Sequence, residues 1–391
     1  MKLKLSELTN NLRGQKMFQI LAKANKLESE GKSILHFELG DPDFETPEPI
    51  IITAINSLSN GRTHYESSFG TLELRQKAAE VTERSRGFLP KLNQLLVTPG
   101  ANFQIYLALA CVANPGDEII IPDPGFVSYL SIISCLGLKA VSLEIKEEDN
   151  FETKCANIKK LITKNTKAII LNNPSNPTGG VTNEVELRNI YKLLKNKNIW
   201  IISDEIYSRI TYKSKTPFFS ITSLDKCEER CILINGFSKA YAMTGWRIGV
   251  VTAPEYLVNK MNLLLETLIS CIPSFIQDAA VTALSIEPQY WITMIEEYQK
   301  RRNLIVSGLN EIKGFTCNLP QGAFYAFPNI TGVGVSDEEI CDLLLNKCGV
   351  ATVPGSYFGE NGKNNIRFSY VSSEEKISLA IKRMKNYFGK H

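Results

Sequence analysis

A chain of 391 residues, 43% hydrophobic and 22% charged, is long enough for one large domain and one smaller one around a sizeable buried core. A formal net charge of +3, a pI near 8.2 and the absence of any block of like charge argue against nucleic acid or an anionic membrane as partner. Three histidines (His36, His64, His391) leave little room for histidine-based metal or triad chemistry, and nine cysteines without paired spacing fit reduced thiols in a cytoplasmic protein with no metal site. The opening segment lacks an apolar stretch of signal-peptide length, and no later run approaches a membrane span.

Residues 14–31 carry Phe18, Leu21, Ala24 and Leu27 at helical spacing. A short strand is expected over 34–39, broken by Gly40-Asp41-Pro42-Asp43, with Thr46-Pro47 opening the next helix. A loop at 65–70 precedes a helix over 72–86. Between about 94 and 250, apolar strands are expected at 95–98, 118–121, 140–143, 168–171, 200–203, 232–235 and 248–251, with helices between most of them. Short, nearly all-apolar strands alternating with helices indicate an α/β domain with a mainly parallel seven-stranded sheet. Helices are expected at 254–268, 275–286 and 288–313. Short strands at 324–327, 350–352 and 365–370, and a last helix with Ile377, Ile381, Met384 and Phe388 on one side, make an α+β pattern. The expected division is a small domain of residues 1–45 plus 290–391 and a large domain of 46–289.

Several stretches carry chemistry. In 235–249, NGFSKAYAMTGWRIG, Lys239 and Arg247 stand in a run that is otherwise small, polar or apolar. Desolvation lowers the pKa of such a lysine and makes it a nucleophile toward a carbonyl, as in a Schiff base. A surface lysine with its stem on apolar neighbours reads the same way. Thr98-Pro99-Gly100-Ala101-Asn102 sits where a strand gives way to a helix; free amides there bind anions, and glycine allows close approach. A plain tight turn is the alternative. Phe126, after a Pro-Asp-Pro-Gly turn, either stacks on a planar ring or fills core. The loop 172–179, NNPSNPTG, is rigid, and its amides can bond a phenolic oxygen or a carboxylate. Asp204 ends an apolar strand, with Tyr207 three residues on. It needs a partner such as a protonated pyridine nitrogen, or it caps a helix. Arg367, in a strand of the small domain, offers a planar fork to an α-carboxylate or to a salt bridge.

With NPSNPTGG (173–180), SDEIY (203–207), GFSKAYAMTGWRIG (236–249) and NIRFSY (365–370) in this order, the chain resembles the aspartate aminotransferase family, class I/II, fold type I of the pyridoxal-phosphate enzymes. The resemblance runs from about Phe37 to Arg367. It implies that Lys239 forms a Schiff base with pyridoxal 5'-phosphate and carries the proton. Asp204 would pair with the ring nitrogen, Tyr207 and Asn176 would bond the phenolic oxygen, and Phe126 would stack on the ring. Gly100, Ala101, Asn102, Ser238 and Arg247 would hold the phosphate. Tyr65 would reach the phosphate of a partner subunit, which implies a homodimer with shared sites. Arg367, helped by Gly40 and Asn176, would take the substrate α-carboxylate. The implied activity is amino-group transfer between an L-amino acid and a 2-oxo acid, with ping-pong kinetics.

Dicarboxylate-specific branches of that family place a basic side chain against the distal carboxylate. Here Asn102 stands where one branch has lysine, and Glu266 lies near the arginine of another. Met17, Phe18 and Phe69 are the expected side-chain contacts, favouring apolar or aromatic substrates, with Lys16 as a remaining cation. A C–S β-lyase on the same cofactor is the alternative reaction. No Gly-x-Ser-x-Gly elbow points to a hydrolase.

Overall fold

Among its described residues, the computed structural model has twelve strands: β1 (Leu35–His36), β2 (Leu95–Thr98), β3 (Glu118–Asp123), β4 (Lys139–Glu144), β5 (Thr166–Asn172), β6 (Trp200–Asp204), β7 (Cys231–Ile234), β8 (Gly249–Thr252), β9 (Tyr325–Ala326), β10 (Val350–Ala351), β11 (Val353–Pro354) and β12 (Ile366–Ser369). The structure describes residues 3–389 except 11, 13, 15, 213–217, 287 and 288. Strands β2 to β8 form one sheet in the order β2-β8-β7-β6-β5-β3-β4. Pairings from β4 through β7 are parallel, whereas β8 runs antiparallel to both β2 and β7. The expected mainly parallel sheet is therefore present, with β8 as its one reversed strand. A parallel return needs a crossover, usually a helix. The chain between β7 and β8 is instead a series of turns, and it carries Lys239 across the strand ends.

The central strands are apolar along most of their length because both faces are covered, whereas the edge strand β4 is largely exposed. Ile119, Ile121, Ala168, Ile170, Ile202, Ile232 and Ile234 join one core with helices Ala101–Val112, Val127–Cys135 and Glu255–Ile269. Their alternates Ile120, Ile169, Leu171, Ile201 and Leu233 join another with helix Glu184–Leu194. Period-two alternation sorts the side chains between the two layers.

A second arrangement uses both ends of the chain. Strands β11-β12-β9 form an antiparallel sheet, and β1 pairs in parallel with β10. Leu35 and Phe37 share a core with Ile305, Leu309, Phe324, Phe368, Ile377 and Met384. The long helix Gln289–Asn310 and the last helix Glu374–Phe388 supply one wall of it. The first amphipathic helix spans Met17–Ser29, shorter at both ends than its apolar spacing suggested. Its Ala24 is buried, but Phe18 is 55% exposed and turns toward a cavity at the strand ends of the large sheet.

Candidate active site

The parallel strands end together, and the turns and helix starts beyond them surround one cavity of about 370 Å³, within the roughly 300–1,000 Å³ typical of small-molecule sites. Open α/β sheets bind ligands at this edge. Asn172 and Asp204 end β5 and β6 side by side in register, and the turns after β7 bring Lys239 over them. Of the residues singled out in the sequence, Gly40, Ala101, Asn102, Phe126, Asn176, Asp204, Tyr207, Ser238, Lys239, Arg247 and Arg367 all line this cavity. Gly100 lies behind Arg247. Tyr65 is 88% exposed and does not line the cavity of its own chain.

The Lys239 amine donates to the carbonyl of Gly40 and lies 5.7 Å from the Phe324 ring centroid. Burial lowers its pKa to about 8; Asp41 opposes this, and Arg367 and Arg247 add to it. About a tenth of the amine is therefore unprotonated at pH 7, far more than for an ordinary lysine, and it is this form that can act as nucleophile or proton acceptor.

Asp204 is buried. One carboxylate oxygen accepts from the Tyr129 hydroxyl at 2.6 Å and the other from the amide of Ile206 at 3.3 Å. Burial raises its pKa to about 6, and those two hydrogen bonds restrain the rise. A cationic ring nitrogen in the cavity would supply the missing counter-charge. Tyr129, wholly buried on helix Val127–Cys135, was not evident from sequence. Its signal was available as a tyrosine one helical turn after Phe126, on the same face. Tyr129→Phe is expected to raise the Asp204 pKa by about one unit, the worth of a hydrogen bond to a charged group. Titrating the protein's affinity for a ligand with a cationic ring nitrogen should show the acid limb displaced to higher pH. An unmoved limb would remove Tyr129 from the charge control of Asp204.

An anion cradle lies nearby. Helix Ala101–Val112 leaves its first amides without intrahelical acceptors. Gly100 precedes it at φ 82°, and a Cβ there would lie 3.0 Å from a terminal nitrogen of Arg247. The Arg247 guanidinium is steadied by the Thr244 carbonyl at 2.9 Å. Arg247 itself has φ 53°, in the left-handed region rarely used by residues with a Cβ, a feature that concentrates at functional sites. Amides, the Ser238 hydroxyl and a guanidinium together suit a phosphate.

Across the cavity, Arg367 on β12 is 1% exposed. Its guanidinium donates to the Asn176 side-chain oxygen at 3.0 Å and to the Glu38 carbonyl at 2.5 Å, while its Nε has no partner among the described residues. The rings of Tyr325 and Phe358 lie 4.6 and 4.8 Å away. Burial holds its pKa below the ordinary arginine range. Tyr325, also missed from sequence, bonds the Tyr207 hydroxyl at 2.7 Å. It also explains Gly40, since a Cβ there would collide with the Tyr325 hydroxyl.

The side-chain end of the cavity departs from expectation at one position. Met17 and Phe18 line it, joined by Leu39, but Phe69 does not; it packs into the sheet core under Arg75, 5.8 Å from that guanidinium carbon. Glu266 lies outside the cavity lining, bonded to Ser68 and Asn262. Lys16 rests its amine 4.3 Å over the ring of Tyr357. The Asn102 amide is 3.4 Å from the Ser128 hydroxyl. Among the described residues there is no cluster with metal-ligand composition and no helix long and apolar enough to cross a membrane.

The family model "Aminotransferase class I and II" matches residues 32–384. The chain is 39% identical to the (5-formylfuran-3-yl)methyl phosphate transaminase of Methanocaldococcus jannaschii, over 99% of this chain and 100% of that one. It is 40% identical to aromatic-amino-acid aminotransferase 2 of Thermococcus litoralis, over 90% and 91% of the two chains. The crystal structure of the aspartate aminotransferase from Rhizobium meliloti superposes with a TM-score of 0.94 at 32% identity, covering 98% of each chain.

Proposed function

The chain belongs to the class I and II aminotransferases, pyridoxal-phosphate enzymes that move an amino group between an amino acid and a 2-oxo acid, and we propose that Lys239 is its proton carrier and that its donors have apolar or aromatic side chains. The supporting observation is one cavity holding the Lys239 amine, the Asp204 carboxylate and the Arg367 guanidinium on its walls. The donor set fits the coenzyme: an amine for its aldehyde, a buried carboxylate for its ring nitrogen and an anion cradle for its phosphate. When bound, pyridoxal phosphate supplies the aldehyde and an electron-accepting ring. The chain does the rest. Asp204 holds a positive charge at the ring nitrogen. Tyr207 and Asn176 orient the phenolic oxygen, Phe126 covers a ring face, and Ser238, Arg247, Ala101 and Asn102 with Gly100 fix the phosphate. Arg367 clamps the α-carboxylate against Asn176 and Gly40, so that Cα comes within reach of Lys239 Nζ. Lys239 Nζ would take the Cα proton as general base and, once protonated, give it up again as general acid. The oxo product leaves before the second oxo acid enters, so the kinetics are ping-pong.

Met17, Phe18 and Leu39 form the side-chain wall, and among the described residues no cation takes the place of those used by dicarboxylate-specific enzymes. That supports neutral donors with 2-oxoglutarate or a similar acceptor. The small domain comprises residues 1–45 and 290–391, and the large one 46–289. The protein works in the cytoplasm as a homodimer in which Tyr65 completes the partner's site. In support, Tyr65 is free of its own cavity, and helix Glu48–Ser59 exposes Ile51, Ile52, Ile55 and Leu58, an apolar face suited to a second copy. Initial rates across a panel of amino acids, with acceptor varied, test this. Parallel double-reciprocal lines and faster turnover of phenylalanine or leucine than of aspartate are expected. Aspartate as the preferred donor would overturn the specificity, and no exchange with any donor would overturn the roles.

A further inference from the structure

Glu38 is a carboxylate with 0% exposure that does not line the cavity. Its backbone carbonyl, which any residue would supply, is what Arg367 touches. The carboxylate itself therefore needs another explanation, because an unpaired buried charge is costly. One of its oxygens lies 2.7 Å from Nδ1 of His36, and the other has no partner among the described residues. The far side of the same ring, Nε2, lies 3.2 Å from Glu28 on the first long helix. Both ring nitrogens thus face carboxylate oxygens, and both can donate only when the ring is doubly protonated. His36 and Glu28 are partly open to solvent, at 35% and 43% side-chain exposure, so a proton can reach the ring from water.

We propose, building on the reading of Arg367 as the carboxylate site, that the Glu38 carboxylate links the charge of Arg367 to His36 and that carboxylate binding takes up a proton from solvent at His36. The argument is charge balance. Without substrate, the Arg367 cation and the Glu38 anion offset each other. A substrate carboxylate brings a second negative charge into the same enclosed region. A proton on His36 restores neutrality there, with no bond made or broken except N–H on the imidazole. The groups acting on His36 are Glu38 and Glu28; those acting on Arg367 are Tyr325, Tyr207 and Glu38, with Lys239 close by. Burial opposes the charged ring, but Glu38 and Glu28 outweigh it and raise the His36 pKa above its ordinary value. By linkage, a carboxylate ligand must raise it further, and carboxylates must bind more tightly as pH falls through the His36 titration.

The holoenzyme and propionate, which has a carboxylate and neither amino nor oxo group, test this. Histidine NMR, assigned with His36→Gln, should show the His36 pKa rising by about 0.7 when propionate saturates, matching a propionate inhibition constant roughly fivefold weaker above the titration than below it. Both effects should vanish in Glu38→Gln. His36→Gln should lose the pH dependence of inhibition attributable to this ring while its kcat at saturating substrate stays within about twofold of wild type, leaving only the part due to other groups such as Lys239. A His36 titration indifferent to propionate, or a His36→Gln enzyme with the wild-type pH dependence, would overturn the proposal. Arg367→Ala binding propionate like wild type would overturn the reading of the carboxylate site, and this proposal with it.

Discussion

Lys239→Ala is expected to abolish transamination while leaving much of the coenzyme site intact. Among the described residues, the substitution removes the only amine on the cavity wall other than the guanidinium groups. Loss of a positioned general acid–base typically costs about 10²- to 10⁴-fold in rate, and loss of the covalent link to the chain adds to that. Arg247, Ser238 and the amides after Gly100 are untouched, so pyridoxal phosphate should still bind, but borohydride should no longer fix it to the polypeptide. Lys239→Arg is the informative companion. It keeps a cation near Gly40 but cannot release a proton, and it should be as inactive as the alanine variant. Single-turnover measurement of oxo-acid formation from a saturating amino acid checks both. A Lys239→Arg enzyme retaining a tenth of the wild-type rate would show that charge, not proton transfer, is the essential property.

The second large effect concerns stability. Arg86 closes helix Leu72–Arg86, and its Nε lies 2.8 Å from Glu205, with side-chain exposures of 2% and 1%. Glu205 also accepts from the hydroxyls of Ser203 at 2.8 Å and Ser220 at 2.5 Å. Arg86 further donates to Ser208 at 3.0 Å and Ser85 at 2.8 Å. Arg86→Ala should destabilise the protein by about 3–5 kcal/mol, because it strands a buried carboxylate. Urea unfolding of the apoenzyme measures it. The pH dependence carries the mechanism. Protonation would remove the stranded charge, so the deficit should shrink as pH falls. Replacing both partners with apolar residues of similar volume should cost much less than Arg86→Ala. Equal losses in the single and double variants would mean that packing, not charge, dominates here. Glu205 adjoins Asp204, and its charge adds to the upward pressure on the Asp204 pKa. Disturbing this pair should therefore also reach the coenzyme site.

Several parts of the site were legible before any fold was seen because each is local. Asp204 and Asn172 end apolar strands, and an apolar strand within an α/β pattern lies in the buried sheet. A polar residue at its end is therefore delivered to the edge where ligands bind. Lys239 and Arg247 belong to a segment whose composition already marked their unusual setting. The alternation of apolar runs and helices likewise carried the seven strands. It could not tell that β8 is reversed, since period and composition are the same for either direction.

The features that the sequence left undetermined depend on contacts between distant positions. Tyr325 meets Gly40 and Tyr207 only after the two ends of the chain converge, and nothing near residue 325 announces it. Phe18 in the helix Met17–Ser29 and Phe69 just before the helix Leu72–Arg86 are both phenylalanines, yet packing sets Phe69 against the sheet core and leaves Phe18 at the cavity. The sequence by itself determined the chemistry available, because a residue type and its place at a strand end need only local rules. The tertiary structure alone decided which groups share a charge environment — Glu38 behind Arg367, Tyr129 under Asp204 — because electrostatics depends on distance in space rather than separation along the chain.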